Sequence, residues 1–258
     1  MASGPPWIFG LRGTPRDAPE NTCASLERAV ALGLDGIAYD VRACAGGELV
    51  LLADATLDRT SDASGPLAAF DARALHEVDA GAWFSKAFVG QRVAWLTEAL
   101  ALHGNAAGAR PQHVIEVHEP ATLPLLARRL EEHGRKLSVR VATARRSVAL
   151  EARDLGLTPL LLLARASEDD CRFVHTERIA AVGARPSAWR ALSAAAAWAC
   201  ERFCLAVDEP DELLAACRLP YNALTTTEPR RALATRALVA LTPDDRGAYP
   251  LQAPELVI

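Results

Sequence analysis

Thr22-Cys23-Ala24-Ser25-Leu26-Glu27-Arg28-Ala29-Val30-Ala31-Leu32, followed after Gly33, Leu34 and Asp35 by Gly36-Ile37-Ala38-Tyr39-Asp40-Val41, decides the fold class of this chain. The first run is helical in composition, and Asn21 or Thr22 is suited to cap it. The second is a short apolar run with β character, and Trp7 to Gly10 reads as a first strand ahead of both. Strand, long helix, strand is the unit of a parallel sheet with crossover helices.

Working outward, the alternation continues to the C-terminal part of the chain. Further strand-like runs are Glu48–Leu52, His113–Val117, Leu137–Val141, Pro159–Leu163, Ile179–Val182, Phe203–Val207 and Asn222–Thr225. Helical runs between them include Ala121–His133 and Pro186–Trp198, the latter with proline where a first helical turn accepts it. The class is α/β. With the first two, these runs make one strand more than an eight-stranded barrel needs. The link Arg42–Gly47 is too short for a crossover helix, so Gly36–Val41 and Glu48–Leu52 read as a hairpin, and one run is miscounted or lies off the barrel. Residues 55–92 lose the strand and helix rhythm, mixing turn residues with Trp83, Phe84 and Phe88, and read as a small inserted cap. After Leu241 the chain becomes proline-rich and irregular, a tail expected to pack outside or fray. The whole, 1–258, reads as one domain.

Composition narrows the function classes. Of 258 residues, 50% are hydrophobic and 23% charged, with a net charge of −4, which excludes disorder and leaves a sizeable core. No apolar run is long enough to span a bilayer, and Met1–Gly10 lacks the pattern of a secretory signal, so a cytoplasmic location is expected. Mild acidity with only two lysines, Lys86 and Lys136, argues against a nucleic-acid partner. Cys23, Cys44, Cys171, Cys200, Cys204 and Cys217 form no CxxC pair, and reduced, partly buried thiols are expected.

Chemistry-bearing residues cluster in ordered segments. Gly10-Leu11-Arg12-Gly13 is followed by Pro19-Glu20-Asn21-Thr22, Ile37-Ala38-Tyr39-Asp40-Val41, Leu49-Val50-Leu51-Leu52-Ala53-Asp54 and Thr56-Leu57-Asp58-Arg59-Thr60. Asp79-Ala80-Gly81-Ala82-Trp83-Phe84, Val114-Ile115-Glu116-Val117 and Thr226-Thr227-Glu228-Pro229 come later. In order and spacing this series resembles the glycerophosphodiester phosphodiesterase family over roughly residues 7 to 240. The resemblance implies a TIM (β/α)8 barrel with a small inserted cap. It also implies a metal-dependent phosphoric diester hydrolase that releases glycerol 3-phosphate and an alcohol. The corresponding ligand is a small-molecule phosphodiester or polyol phosphate, and the cofactor a divalent ion such as Mg or Ca.

By that resemblance, Arg12 corresponds to a phosphate-contacting arginine, Glu20 and Asn21 to the first loop, and Asp40 and Glu116 to two metal ligands. The departures are concerted. Leu11 and Ala53 stand where the family has histidines, Ala38 where it has a metal-binding glutamate, and His118 where it usually has a lysine.

Phosphodiester hydrolysis by that route needs a hard cation on carboxylates and groups that accept and donate protons. Neither a leucine nor an alanine side chain transfers protons, and each such group is commonly worth about 10²–10⁴-fold in rate. The leading expectation is therefore a catalytically impaired or inactive member of the family, with a residual phosphate or polyol pocket. The alternative is an active hydrolase with a reorganised site. Glu116 and His118 are two apart on one strand and share a side, so with Asp40 they make a two-carboxylate, one-imidazole set compatible with Zn or Mn. A third reading is a barrel of unrelated function, with apolar surface around Leu11, Ala38 and Ala53 suggesting an apolar ligand or partner. For Arg12 two roles stand level, a grip on phosphate and a salt bridge to Asp40 or Glu116. Glu20 and Asn21 read as substrate contacts or as caps of the helix that begins near Thr22, and capping alone would explain Asn21. Trp83 and Phe84 are expected to hold the cap to the barrel. His76, His103, His113, His133 and His175 carry no assigned role, and His175 is placed in a polar loop.

Overall fold

Nine strands alternate with helices in the computed structural model, which describes residues 4–102, 110–134, 138–165, 167–188 and 200–241. The strands are β1 (Trp7–Leu11), β2 (Gly36–Ala43), β3 (Leu49–Leu51), β4 (Gln112–Val117), β5 (Val139–Thr143), β6 (Thr158–Leu163), β7 (Ala181–Ala184), β8 (Glu201–Cys204) and β9 (Ala223–Thr226). Eight of them are parallel neighbours in the order β1, β9, β8, β7, β6, β5, β4, β2, and β1 also pairs with β2, which closes a TIM barrel. The surplus strand is β3, paired antiparallel to β2 with Val41 opposite Leu51, so it is the outer arm of the hairpin.

Three strands are displaced from the apolar runs. β5 and β7 begin two residues later than Leu137 and Ile179, and β8 begins two residues before Phe203. Ile179 and Val207 are buried just outside β7 and β8, so their burial extends the apolar pattern past the strand ends. Leu137 and His103 lie outside the described residues, as do most of the Pro186–Trp198 run and the tail after Leu241. Of that run, Pro186–Ala188 forms a single 3₁₀ turn. His175 belongs to a helix, Glu168–Thr176, not to a loop. That helix buries only Val174, so its apolar stripe is too thin to read, yet Ser167 and Asp170 cap it reciprocally.

The helix Cys23–Ala31 starts as its sequence dictates, with the Thr22 hydroxyl accepting from the Ser25 amide. It buries Leu26 and Ala29 against outward residues of the sheet, among them Ile8, Ile37 and Ile115. Thr122–Glu132 does the same with Leu123, Leu126 and Leu130. Inside the barrel one residue from each strand meets in a second cluster: Phe9, Ala38, Val114, Ala142, Leu160, Ala181, Phe203 and Ala223. The bulk is uneven. Phe9 and Phe203 fill one side, with ring centroids 5.7 Å apart, and alanines on β2, β5, β7 and β9 leave room above the others.

The segment 55–92 has short 3₁₀ and helical turns and its own apolar centre, Leu57, Leu67, Leu75 and Val78, packed with Val50 and Leu52 of the hairpin arm. Its carboxylate Asp79 accepts from the amides of Gly81, Ala82 and Gly90 at 2.6–2.8 Å. Trp83, Phe84 and Phe88 form a ladder of edge contacts, and Phe88 lies under the Arg28 guanidinium of the first helix. That contact ties the cap to the barrel.

Candidate active site

The site grows from the turn after β1. Arg12 and Asn21 both adopt left-handed backbone, φ 58° and 55°, and Gly13 follows at φ 88°. An ideal Cβ on Gly13 would stand 2.4 Å from the Ser25 hydroxyl, so the turn requires glycine there. Ser25 locks the turn, donating to the Arg12 carbonyl at 3.0 Å and accepting from the Thr14 amide at 2.7 Å. Strain of this kind, about 1–3 kcal/mol per residue, persists only where surrounding contacts over-determine it.

What the turn presents is a donor array around one carboxylate. Asp40 Oδ2 accepts from Arg12 Nε at 2.8 Å and from Asn21 Nδ2 at 3.0 Å. Its Oδ1 lies 2.8 Å from His118 Nε2. The side chain is buried, at 3% exposure. Burial works to raise its pKa, but the His118 hydrogen bond, the Arg12 charge and Asn21 hold it below the usual carboxylate value. Glu116, opposite Asp40 in the β2–β4 register, is shifted the other way, upward, first by burial and then by the Asp40 charge beside it. Two adjacent carboxylates are thus pushed apart in acidity because the donors converge on one of them.

Arg12 also reaches Glu20, Nη1 to Oε1 at 3.0 Å, and Glu20 accepts from Arg59 at 2.7 Å. Arg59 in turn holds Asp54. Arg42 donates to the Ala53 carbonyl through Nε at 3.0 Å and Nη2 at 2.7 Å, and pairs with Glu119. The sequence reading gave no role to Arg42 or Arg59. Both are arginines in segments dense with carboxylates, a signal too common to single them out.

Above the inner core cluster lies a cavity of about 460 Å³ at the C-terminal end of the strands. This is the end at which barrel enzymes place their chemistry. Leu11, Arg12, Ala38, Asp40 and Glu116 line it, with Val114, Ala142, Leu160 and Leu162 supplying an apolar wall. His118, Glu20, Asn21 and Ala53 are not among the residues that line it, and the Ala53 carbonyl accepts from Arg42. Arg185, after β7, closes the far rim and was not singled out from the sequence.

Asp40, Glu116 and His118 each offer one ligand atom, all within 4.8 Å of one another. Two carboxylates and an imidazole fit a divalent ion, provided His118 Nε2 turns from Asp40 toward it. Both Asp40 oxygens are otherwise engaged.

Comparison with known proteins bears on this geometry. The family model described as glycerophosphoryl diester phosphodiesterase matches residues 12–198. A glycerophosphodiester phosphodiesterase of Caldanaerobacter subterraneus is 39% identical over 98 residues, covering 38% of this chain and 40% of that protein. One from Bacillus subtilis is 31% identical over 127 residues, covering 46% and 42%. The chain therefore spans about two fifths of the length of these relatives. Among solved structures, a phosphodiesterase of Oleispira antarctica in complex with the product sn-glycerol-3-phosphate superposes with a TM-score of 0.81. It shares 19% identity, over 90% of this chain and 96% of that one. A glycerophosphodiester phosphodiesterase of Agrobacterium tumefaciens gives 0.75 at 22% identity, over 89% and 99%. The barrel agrees with both, and with the family model matching more than half of the sequence, the chain belongs to the glycerophosphoryl diester phosphodiesterase family.

Proposed function

We propose that this family member hydrolyses phosphodiesters poorly or not at all and retains the barrel mouth as a binding pocket. One observation carries the reading: Leu11 and Ala38 present only alkyl groups to the cavity, while both oxygens of Asp40 are held by Arg12, Asn21 and His118. Proton transfer at the usual positions has no side chain to perform it, and Arg12 is committed to Asp40 and Glu20. The test is release of choline from glycerophosphocholine, and of product from a generic phosphodiester, with Mg, Ca, Mn or Zn, beside an Asp40→Ala/Glu116→Ala control. Turnover no higher than the control with every metal is expected. A rate within tenfold of an intact relative overturns the reading.

A second reading rests on the Asp40, Glu116 and His118 cluster. A divalent ion there would polarise a phosphoryl oxygen. The imidazole favours Zn or Mn over Mg or Ca, which prefer all-oxygen shells, and Ala38 supplies no third carboxylate. His118→Ala separates the readings, since activity that depends on this cluster disappears with the imidazole. Among the described residues no helix is long and apolar enough to cross a membrane. A cytoplasmic site of action remains part of the proposal.

A further inference from the structure

The cavity is built for a ligand that is apolar along most of its length. Leu11, Ala38, Val114, Ala142, Leu160 and Leu162 turn alkyl groups into it, and Leu205 adds another from the end of β8. Glycerol hydroxyls placed against such walls would lose water without gaining partners, a cost hydrocarbon does not incur. At about 460 Å³ the space is within the range of ligand pockets and exceeds what a phosphate requires.

Charge around the mouth is divided. Asp40 and Glu116 stand on β2 and β4, and Arg12 beside them is consumed by Asp40 and Glu20. Arg185 follows β7, four strands around the closed barrel from β2, and is therefore diametrically opposite Asp40. Among the described residues no carboxylate lies within ion-pair distance of the Arg185 guanidinium. It is an exposed cation that lines the cavity and, among the described residues, has no counter-ion of its own.

We infer that the barrel mouth binds an anionic single-chain amphiphile, with its alkyl chain in the Leu160–Leu162 side of the cavity and its phosphate or carboxylate head at Arg185. This deepens the binding role proposed above and rests on it. Measuring binding without turnover keeps the two separable: hydrolysis would overturn the loss of catalysis and leave this inference standing, and failure to bind would do the reverse.

The experiment is calorimetric titration of the full chain with hexyl, octyl and decyl phosphate below their aggregation concentrations, beside inorganic phosphate, octanol and octyltrimethylammonium. Affinity is expected to rise roughly fourfold per methylene until the cavity is filled. Arg185→Gln should weaken octyl phosphate by roughly fivefold and leave octanol unchanged, the scale of an exposed ion pair. Ala144→Trp and, independently, Ala164→Trp place an indole at exposed cavity-lining positions, and each should abolish chain binding while the melting temperature stays that of the parent. Affinity independent of chain length overturns the inference. So does octyltrimethylammonium binding as tightly as octyl phosphate, or chain binding that survives both tryptophan variants.

Discussion

The two sides of the barrel mouth are made by the same kind of element, a parallel strand ending in a loop, and they differ in almost everything else. On β1, β2 and β4 polar side chains crowd the cavity and pair with one another: Arg12, Asn21 and His118 converge on Asp40, and Glu20 and Arg59 continue the chain. On β5, β6 and β8 the lining is alanine and leucine, and the charge beyond it, Arg185, has no ion-pair partner among the described residues. The first side is a web of charges tied to one buried carboxylate. The second is a wall ready for hydrocarbon. Charges crowded at one side of the rim pair with one another, while alkyl groups on the other leave a cation without a neighbour of opposite sign among the described residues.

The comparison breaks most visibly if catalysis can be restored to the polar side. Leu11→His, Ala53→His and Ala38→Glu together should raise metal-dependent hydrolysis of glycerophosphocholine by about 10²–10⁴-fold over the parent. An assay showing no gain would place the defect elsewhere than in these three positions.

Removing the hub of the polar side should cost more stability than trimming the apolar one. Asp40→Ala strands Arg12, Asn21 and His118 around an absent acceptor and should lower unfolding free energy in urea by about 3 kcal/mol, the lower end for a broken buried pair because Arg12 keeps Glu20. Leu160→Ala, at a fully buried position over an existing cavity, should cost about 2.5 kcal/mol. The reverse ranking would mean that the apolar wall dominates the stability of the mouth.

The neighbouring carboxylates should respond to acid with opposite signs. Asp40 is held below its ordinary 3.8, so the stability it adds is present above that pH and is lost as pH falls through its lower folded value. Glu116 is raised above its ordinary 4.5, so its charged form weakens the fold at neutral pH and its protonation relieves this as pH falls through the raised value. Glu116→Gln should therefore stabilise at neutral pH, by less than about 1 kcal/mol, whereas Asp40→Asn should destabilise and flatten the acid limb of the unfolding curve.

The smallest effect is chemical. Burial, with Glu98 and Glu27 nearby, pushes the Cys23 thiol up to about 12. Alkylation at pH 8 should accordingly be slow in the native protein and fast once urea unfolds it, a contrast read by mass spectrometry.

Much of this was legible before folding was considered. The α/β class follows from apolar runs alternating with amphipathic helices, the barrel from the family resemblance, and the hairpin from a six-residue link, Arg42 to Gly47, that cannot hold a crossover. The resemblance places Leu11 and Ala38 at the barrel mouth, and both line the cavity. Other features were hidden for identifiable reasons. The helix Glu168–Thr176 buries one residue and so shows no stripe. Buried loop residues such as Ile179 mimic strand. The Arg42 side chain donates to the Ala53 carbonyl, a contact across the hairpin that residue types alone do not announce.

By itself, then, the sequence determined the strand and helix rhythm, the surplus hairpin strand and the alkyl side chains at Leu11, Ala38 and Ala53, because these depend on residue type and local spacing. Only the tertiary structure decided that Arg12 spends its charge on Asp40, that His118 joins them, and that Arg185 faces them unpaired among the described residues across an apolar floor. Those relations join positions separated by up to most of the barrel, and closure between β1 and β2 is what brings them to one rim.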